Sequence, residues 1–290
     1  MTHRKQSVAR LIGHVAGWGM LALLLIPAIV AFWMSFTPAS FLTFPTREWS
    51  WKWYRLFGTS PQWTAGLKNS LFVGLTTAAV SVIVGTGLAM LLTRHQFPGR
   101  RLTARLALWP LFVPGVVLGL AELHAAKLYG LWGTPFSLVA ADSLLGVPIV
   151  FLLVRVALEA IDPDLVWAAR GLGAGPWGAF RHVILPLVAP VMALGGLLAF
   201  IISFQELIMA IFLCTPEAQT LPKVIWPNLR YALTPVVAAA SGVSLLATLA
   251  LIVGIWGASQ FAAARIRFSS KIEVGRVTLI GSDNGRHDGG

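Results

Sequence analysis

The chain alternates between long apolar segments and short polar connections, and this pattern predicts its architecture. Six segments are apolar over about twenty residues, the length that an α-helix needs to cross the hydrocarbon core of a membrane. They cover roughly residues 14–36, 70–93, 105–126, 136–158, 187–213 and 236–262. Pro110, Pro114 and Pro148 interrupt the third and fourth segments, which spans tolerate when neighbouring helices pair the freed carbonyls. The pattern therefore predicts an all-α polytopic membrane protein with six transmembrane helices.

The most elaborate polar connection, residues 159–186, joins the fourth and fifth apolar segments. From Trp167 onward it reads WAARGLGAGPWGAFRHVILP. Ala168 and Ala169 favour a helix, and the glycines that follow, Gly173 first among them, interrupt it. A second short helix is predicted after the glycines. A helix, turn and helix of this kind is typical of a rigid element that a soluble partner binds.

Composition supports a membrane protein and excludes a soluble domain. Of the 290 residues, 57% are hydrophobic and only 11% are charged, and a soluble chain exposing so much apolar surface would aggregate. The net charge of +11 is spread over the connections, which favours anionic lipid headgroups over nucleic acid as partners. The single cysteine, Cys214, excludes an intrachain disulfide and is interpreted as a packing residue.

Lysines and arginines predict the orientation, because cytoplasmic connections carry more of them than external ones. Fifteen of the 22 fall on the side that holds both termini and the connection between the fourth and fifth spans, so both termini are predicted to be cytoplasmic. Three regions follow: a cytoplasmic segment 1–13, a transmembrane domain 14–264 and a polar, Gly-rich tail 265–290 that is predicted to be disordered. The first apolar segment is interpreted as an uncleaved span, because bulky residues such as Trp33 stand where a signal peptide needs small ones.

The predicted external stretch 37–69 is rich in aromatic residues. It carries Trp49, Trp51, Trp53, Tyr54 and Trp63. Aromatic side chains at this density suit the headgroup region, so membrane anchoring is one interpretation. Docking of an extracellular partner is the other.

Motifs of catalysis and nucleotide binding are absent from the sequence. No GxxxxGK[ST], HExxH or CxxC pattern occurs, so we expect no catalytic residue, no metal site and no cofactor in this chain. Glu122 and His124 are two residues apart and diverge on a helix, which makes them a poor metal pair.

Three carboxylates, Glu122, Asp142 and Glu206, fall in or near the predicted spans, whereas no lysine or arginine lies mid-span. Charges at this depth usually face a cavity or a partner, so a translocation path that tolerates a cation is one interpretation. Protonation, or a bond to a backbone group or a serine, is the alternative. Glu206 is the strongest candidate, since it follows Gln205 in a polar break of the fifth span, and Met209 is expected on the same helical face. A polar clasp between helices is the other interpretation of that face.

The stretch from Trp167 to Pro186 resembles the cytoplasmic loop of permeases from binding-protein-dependent ABC importers. That family's loop reads Glu-Ala-Ala, three residues, Gly, nine residues, Ile, one residue, Leu-Pro. The matching residues are Ala168, Ala169, Gly173, Leu185 and Pro186, with Val183 at the Ile position and Trp167 at the Glu position. The resemblance implies that these residues couple the permease to an ATPase.

Other segments extend the resemblance over nearly the whole chain. LKNSLFVG, RHQFPGR, LGVPIVFLLV and SFQELIMAIFL are similar to permease subunits of polyamine-type importers. The fifth-span motif of those relatives is usually Ser-Phe-Asp-Glu. Here Gln205 stands at the Asp position and Glu206 is retained.

The resemblance implies the type I ABC importer permease fold and a place in the bacterial inner membrane. The implied partners are two ATP-binding cassette subunits, a second permease subunit in a heterodimer, a periplasmic or lipid-anchored substrate-binding protein, and membrane lipid. The chain itself would be no enzyme, since its partners would hydrolyse ATP, and its solute would be polyamine-like or another small cationic or organic molecule. A stand-alone secondary transporter is the alternative, although such proteins usually show inverted repeats and broken helices at matching positions.

Overall fold

The structure is a computed structural model that describes residues 2–42, 44–46, 48–231, 234–255 and 257, with side chains from residue 14 onward. Its helices are α1 Thr2–Met34, α2 Lys52–Thr59, α3 Pro61–Arg94, α4 Arg100–Leu108, α5 Gly115–Leu128, α6 Pro135–Glu159, α7 Pro163–Gly171, α8 Pro176–Ala179, α9 Leu185–Gln205, α10 Ile208–Leu213, α11 Leu221–Tyr231 and α12 Pro235–Ile255. Residues Trp109–Phe112 and Pro216–Ala218 form 3₁₀ segments, and Phe180–Ile184 forms a π-helical segment. The predicted tail 265–290 and the last part of the predicted sixth span lie outside the described residues.

Among the described residues, five helices are long and apolar enough to cross a membrane. They are α1 from His14 onward, α3, α6, the run Pro176–Gln205 and α12. A further pair, Arg100–Phe112 and Gly115–Leu128, passes the same test together, and its two halves meet at 105°. Counted as one span, this pair brings the total to six. The predicted all-α membrane fold is confirmed, with five spans, or the predicted six when the bent pair is counted as one.

The third predicted span, 105–126, is not one helix. Val113 and Pro114 both have extended backbone conformations between the two helical halves. A residue before proline avoids the helical region because its backbone clashes with the proline ring. The chain therefore turns sharply here instead of crossing the bundle as a straight helix.

Two other predicted spans have different bounds. The second was expected to begin at residue 70, but α3 already starts at Pro61, where proline suits the first helical turn. The fifth was expected to reach residue 213, but α9 ends at Gln205 and the separate helix α10 follows. The earlier end of the fifth span changes the geometry of Gln205, Glu206 and Met209, which are described below.

Helices α3, α6 and α9 pack against one another in the centre of the bundle. They approach closely through small residues. A β-carbon added at Gly85 would lie 2.8 Å from Cβ of Val150, and one at Gly146 would collide with the hydroxyl of Ser81. Small residues allow the backbones of transmembrane helices to pack at short distance, which is the main source of stability between helices in lipid.

Apolar clusters distinguish two ends of the bundle. The loop end holds α4 and α7, and its core includes Leu92, Val154, Leu158, Phe180 and Ile184. The aromatic end holds α2 and α11, and its core includes Trp53, Phe57, Trp63, Leu221 and Val224. The two connections that the sequence predicts on the same side, before α4 and around α7, thus meet at the loop end.

The aromatic residues between α1 and α3 divide into a buried and an exposed set. Trp53 and Trp63 are buried, and the indole N–H of Trp53 donates to the carbonyl of Thr37 at 2.8 Å. Trp49 and Trp51 are exposed. The buried set belongs to the protein core, which differs from both predicted roles of these residues, membrane anchoring and docking of a partner. The exposed pair is accessible to lipid or to a partner.

Helix α1 makes little contact with the rest of the chain across its apolar part. Within the candidate span His14–Met34, none of the most apolar window is buried. The chain joins the core directly after this helix, where the Ser35 and Tyr54 hydroxyls lie 2.8 Å apart. An apolar helix that is exposed on all sides in one chain is covered by lipid or by another subunit in a membrane.

Candidate functional site

Helix α7 begins with a proline and a carboxylate cap. Pro163 occupies the first turn, where a missing N–H has no cost, and the Asp162 carboxylate accepts from the backbone N–H of Asp164 at 3.0 Å. The helix continues to Gly171. It contains Trp167 and its two following alanines, so the predicted first helix of this connection is confirmed.

Gly173 ends α7 in a left-handed conformation with φ of +89°. Its N–H donates to the carbonyl of Arg170 at 3.0 Å, and the N–H of Ala174 donates to the carbonyl of Ala169 at 3.1 Å. This pair of bonds is the Schellman arrangement, which satisfies the last carbonyls of a helix and favours glycine at the left-handed position. The predicted interruption is confirmed, and it depends on residue 173.

The helix that follows the turn is continuous with the fifth span. Pro176–Gln205 is one helical run of 30 residues that includes α8, the π-helical segment and α9. Pro186 lies in the first turn of α9, directly after the π-helical segment, whose longer-range hydrogen bonds accommodate a residue without an N–H. The predicted second helix is confirmed, but it is an extension of the span and not a separate element.

Three large apolar side chains project from this connection, and we call them the α7–α8 surface: Trp167, Leu172 and Trp177. They are exposed by 66%, 91% and 70%. On the opposite side, Val166 and Phe180 pack into the core of the loop end. Of the other predicted coupling residues, Ala168, Gly173 and Pro186 are exposed, and Ala169, Val183 and Leu185 are half-buried. Exposed apolar side chains of this size on a rigid connection are typical of a binding surface.

Asp142 lies inside the bundle and not on its surface, with only 2% of the residue exposed. The hydroxyl of Ser203 on α9 donates to its Oδ2 at 2.5 Å and lies 3.5 Å from the hydroxyl of Thr77 on α3. Its Oδ1 has no hydrogen-bond partner among the described residues. This geometry matches the alternative in which the carboxyl group is bonded to a serine, and it ties the three central helices together.

Glu206 occupies the break between α9 and α10 in an extended conformation. Its Oε1 accepts from the backbone N–H groups of Ile208 at 2.7 Å and of Met209 at 3.2 Å, so it caps the start of α10. At the other end of α10, the ammonium of Lys223 donates to the carbonyls of Ala210 at 3.1 Å and Ile211 at 2.8 Å. A negative charge at the start of α10 and a positive charge at its end thus stabilise this short helix, because the helix dipole favours that arrangement.

The prediction that Met209 shares a helical face with Glu206 is wrong. The helix ends between them, and Met209 is fully buried in a cluster with Val73 and Leu138. Gln205 is instead exposed beside a pocket of about 400 Å³ that is also lined by Trp226, Ser241, Ser244 and Thr248. The break therefore turns Gln205 and Met209 in different directions.

Glu122 is half-buried on α5, and His124, two residues on, is exposed. In the part of the chain that the structure describes, no group of three His, Cys, Asp or Glu side chains is arranged to hold a metal ion. The five predicted path residues therefore lie in different environments. Asp142 is inside the bundle, Gln205 is exposed, Glu206 caps α10, Met209 is buried and Glu122 is half-buried.

A comparison with known proteins identifies the class of protein to which these elements belong. Residues 81–261, from within α3 to beyond α12, match the family described as binding-protein-dependent transport system inner membrane component. The chain belongs to this family. It is therefore a permease subunit of a binding-protein-dependent ABC importer, a multi-pass inner-membrane protein and a transporter component. Membership of this family argues against the alternative prediction, a stand-alone secondary transporter.

Individual relatives of the permease differ in the solutes that they are named for. The spermidine/putrescine transport system permease protein PotC of Escherichia coli (strain K12) is 26% identical to it over 232 residues, which cover 80% of this chain and 88% of PotC. The sulfate transport system permease protein CysT of the same organism is 30% identical over 233 residues, which cover 75% and 84%. Polyamines and sulfate have opposite charges, so sequence similarity alone leaves the solute open.

A solved structure supports the permease fold. It is the bacterial alginate ABC transporter in complex with an alginate pentasaccharide-bound periplasmic protein. One of its chains aligns with the permease at a TM-score of 0.67 and 15% identity, over 84% of this chain and 92% of that chain. At this level of identity the likeness establishes the arrangement of helices.

Lys223 is the site residue that sequence reasoning missed. In the sequence it follows Leu221 and Pro222 in a connection between apolar segments and looks like an ordinary charge outside the membrane. Its contact with α10 exists because α11 folds back beside the α9–α10 break. Lys223 lies thirteen residues after Ala210, whose carbonyl it caps. This separation matches no helical spacing in the sequence, so the contact is visible only in the tertiary structure.

The capping role of Glu206 makes a prediction about two variants of the permease. Glu206→Ala removes the acceptor for two N–H groups and should lower stability by about 1 kcal/mol, with a loss of transport. Glu206→Gln keeps an oxygen that can accept the same bonds, so its melting temperature and uptake should stay near wild type. Thermal unfolding and solute uptake by cells check both. A Gln variant as impaired in uptake as the Ala variant would show that the negative charge itself is required.

Proposed function

We propose that the α7–α8 surface is the site at which an ATP-binding cassette subunit docks, and that the loop end, with both chain termini, faces the cytoplasm. The support is the exposure of Trp167, Leu172 and Trp177 on a connection whose turn is held by backbone hydrogen bonds. Large aromatic and aliphatic side chains dominate the energy of protein interfaces when a partner buries them. The excess of lysine and arginine at this end supports the orientation.

The proposed mechanism transmits a movement of the ATPase to the transmembrane helices. The α7–α8 surface is joined to the fifth span through the run Pro176–Gln205. It also contacts the fourth span, because Val166 packs in the same cluster as Leu158. Closure of two ATPase subunits would displace both spans as a rigid unit and switch the permease between outward-open and inward-open states.

A second permease subunit is proposed as the partner that encloses the path, in a heterodimer. The exposure of α1 over its apolar part supports this, since none of the most apolar window of that helix is buried within the chain. A periplasmic or lipid-anchored binding protein would deliver solute at the aromatic end, where Trp49 and Trp51 are exposed. Two ATPase subunits, one for each permease, complete the proposed assembly.

The proposed solute is a small cationic or organic molecule, polyamine-like in its chemistry. The similarity to PotC supports this class, and Gln205 offers an exposed polar side chain at the pocket beside the α9–α10 break. Gln205 and Glu206 are the proposed path residues, and Asp142 supports them from the interior through Ser203 on the same helix. Uptake of labelled putrescine with sulfate as competitor, in cells that carry the whole system, distinguishes the two solute classes.

A double variant tests ATPase docking directly. Trp167→Ala with Leu172→Ala should reduce the amount of ATPase that co-purifies with the permease at least tenfold, because two buried interface side chains are lost. The matched control is Leu128→Ala with Tyr129→Ala, two equally exposed apolar side chains at the end of α5, away from the loop end. The control should retain the ATPase. Full ATPase retention by the Trp167 and Leu172 variant would refute docking at this surface.

A further inference from the structure

Four arginines line a cavity at the loop end that shares no residue with the α7–α8 surface. This arginine cavity has a volume of about 620 Å³, within the range of ligand-binding cavities. Its basic lining is Arg100, Arg101, Arg105 and Arg155, and its apolar lining includes Leu92, Phe97 and Ala104. None of these residues belongs to the proposed coupling surface or path.

The local sequence explains why the arginines converge. The chain turns after α3 at Gly99, whose φ is +88°, and α4 then packs beside α6. On α4, Arg101 and Arg105 are four residues apart and therefore share one face of the helix. Arg155 reaches the same cavity from α6. The fold thus gathers cations from two helices that are distant in sequence.

The positive charge of the cavity is poorly compensated within the chain. Glu159 pairs with Arg155 at 2.8 Å. Arg100, Arg101 and Arg105 have no carboxylate at ion-pair distance among the residues that the structure describes. The first turn of α4 also contains no acidic residue and no side-chain cap. Like charges around one cavity repel one another, and a bound anion relieves this repulsion.

The surroundings of the cavity indicate which anion fits. Leu102 and Leu106 on α4 and Trp109 directly after it are all exposed and follow one another at helical spacing, beside the row of arginines. A helix with an apolar row next to a basic row lies at the boundary between hydrocarbon and water, and tryptophan favours the same level. An anion that carries its own apolar chains would satisfy both rows.

We propose that the arginine cavity binds the phosphate of an anionic phospholipid. Guanidinium groups bind phosphate oxygens in pairs of parallel hydrogen bonds, which suits Arg101 and Arg105 on their shared face. The acyl chains would lie along Leu102, Leu106 and Trp109. A zwitterionic headgroup adds an ammonium to a region that already holds four cations, so the site selects lipids with net negative charge.

Lipid binding is measured on the purified full-length permease in detergent, after removal of native lipid. Thermal unfolding is followed while short-chain phosphatidylglycerol, short-chain phosphatidylcholine or inorganic phosphate is added. Phosphatidylglycerol should raise the melting temperature of the wild type, and the other two should not. For Arg101→Gln with Arg105→Gln, the phosphatidylglycerol concentration giving half of the effect should rise at least tenfold. Both arginines are exposed, so the variant should fold.

The matched control carries Arg94→Gln and Arg181→Gln, two exposed arginines at the loop end that do not line the cavity. Its half-effect concentration should stay within twofold of wild type. A control weakened as strongly as the cavity variant would show a general charge effect and overturn the proposal. An equal response to inorganic phosphate would identify a soluble anion as the ligand. An unchanged response of the cavity variant would place the lipid elsewhere.

Discussion

Gly173→Pro should abolish ATPase capture and transport by this permease while leaving the protein in the membrane. Proline fixes φ near −65°, whereas residue 173 has φ of +89°. The variant also loses the N–H that donates to Arg170. The Schellman turn cannot form, so α7 and α8 lose their relative orientation and the α7–α8 surface is no longer a single unit. Co-purification of the ATPase and solute uptake by cells measure the effect.

A neighbouring glycine provides the control for this variant. Gly175 has φ of −65°, and no atom lies near its added β-carbon, so Gly175→Ala introduces no strain. It should retain ATPase capture and uptake. If Gly173→Pro also retained both, the orientation of α7 relative to α8 would be irrelevant to coupling, and the proposed role of this connection would be wrong.

Gly85→Ala should destabilise the bundle by about 1–3 kcal/mol, the usual cost of overpacking a core. The new methyl group would lie 2.8 Å from Cβ of Val150, 2.9 Å from the carbonyl oxygen of Val147 and 3.0 Å from the backbone nitrogen of Phe151. Two of these atoms belong to the backbone of α6 and cannot move as a side chain does. Helices α3 and α6 must therefore separate, which should lower the melting temperature in detergent.

Gly87→Ala is the matched control on the same helix. Nothing lies within 4 Å of its added β-carbon, and alanine is a better helix former than glycine by up to about 1 kcal/mol. The control should be as stable as the wild type or more stable. Equal melting temperatures for the two alanine variants would contradict the close approach of α3 and α6 that organises the fold.

Sequence reasoning recovers features of this permease that depend on local rules. The apolar segments predict six spans because their length has to match the membrane. The glycine at 173 predicts the end of α7 because few other residues adopt a left-handed conformation. The spacing from Trp167 to Pro186 indicates the family, and the match over residues 81–261 confirms it.

The features that the sequence does not reveal depend on contacts between distant segments. Residues 207–213 are apolar again after the polar pair Gln205 and Glu206. The hydropathy pattern therefore extends the fifth span past this pair and does not show that the helix ends there, at a break that the Glu206 cap and the Lys223 cap stabilise. Asp142 likewise gains its partner Ser203 only when α6 and α9 pack together. The tryptophans before α3 have the composition of a membrane-interface belt, yet the fold buries Trp53 and Trp63.

The substitution of tryptophan for glutamate at position 167 has a physical explanation in the exposed surface. Trp167 is accompanied by Leu172 and Trp177, and the Arg170 guanidinium lies 5.7 Å from its ring. A partner for this surface needs an apolar groove instead of a positive charge opposite residue 167.

The helix from Pro176 to Gln205 contains 30 residues and is about 45 Å long at 1.5 Å per residue. It reaches from the α7–α8 surface to the residue beside Glu206 without an intervening loop. A displacement at one end would therefore pass through continuous helical backbone, which includes the π-helical segment Phe180–Ile184. In the proposed coupling to an ATPase, this helix is the route by which a displacement at the α7–α8 surface would reach the polar residues Gln205 and Glu206.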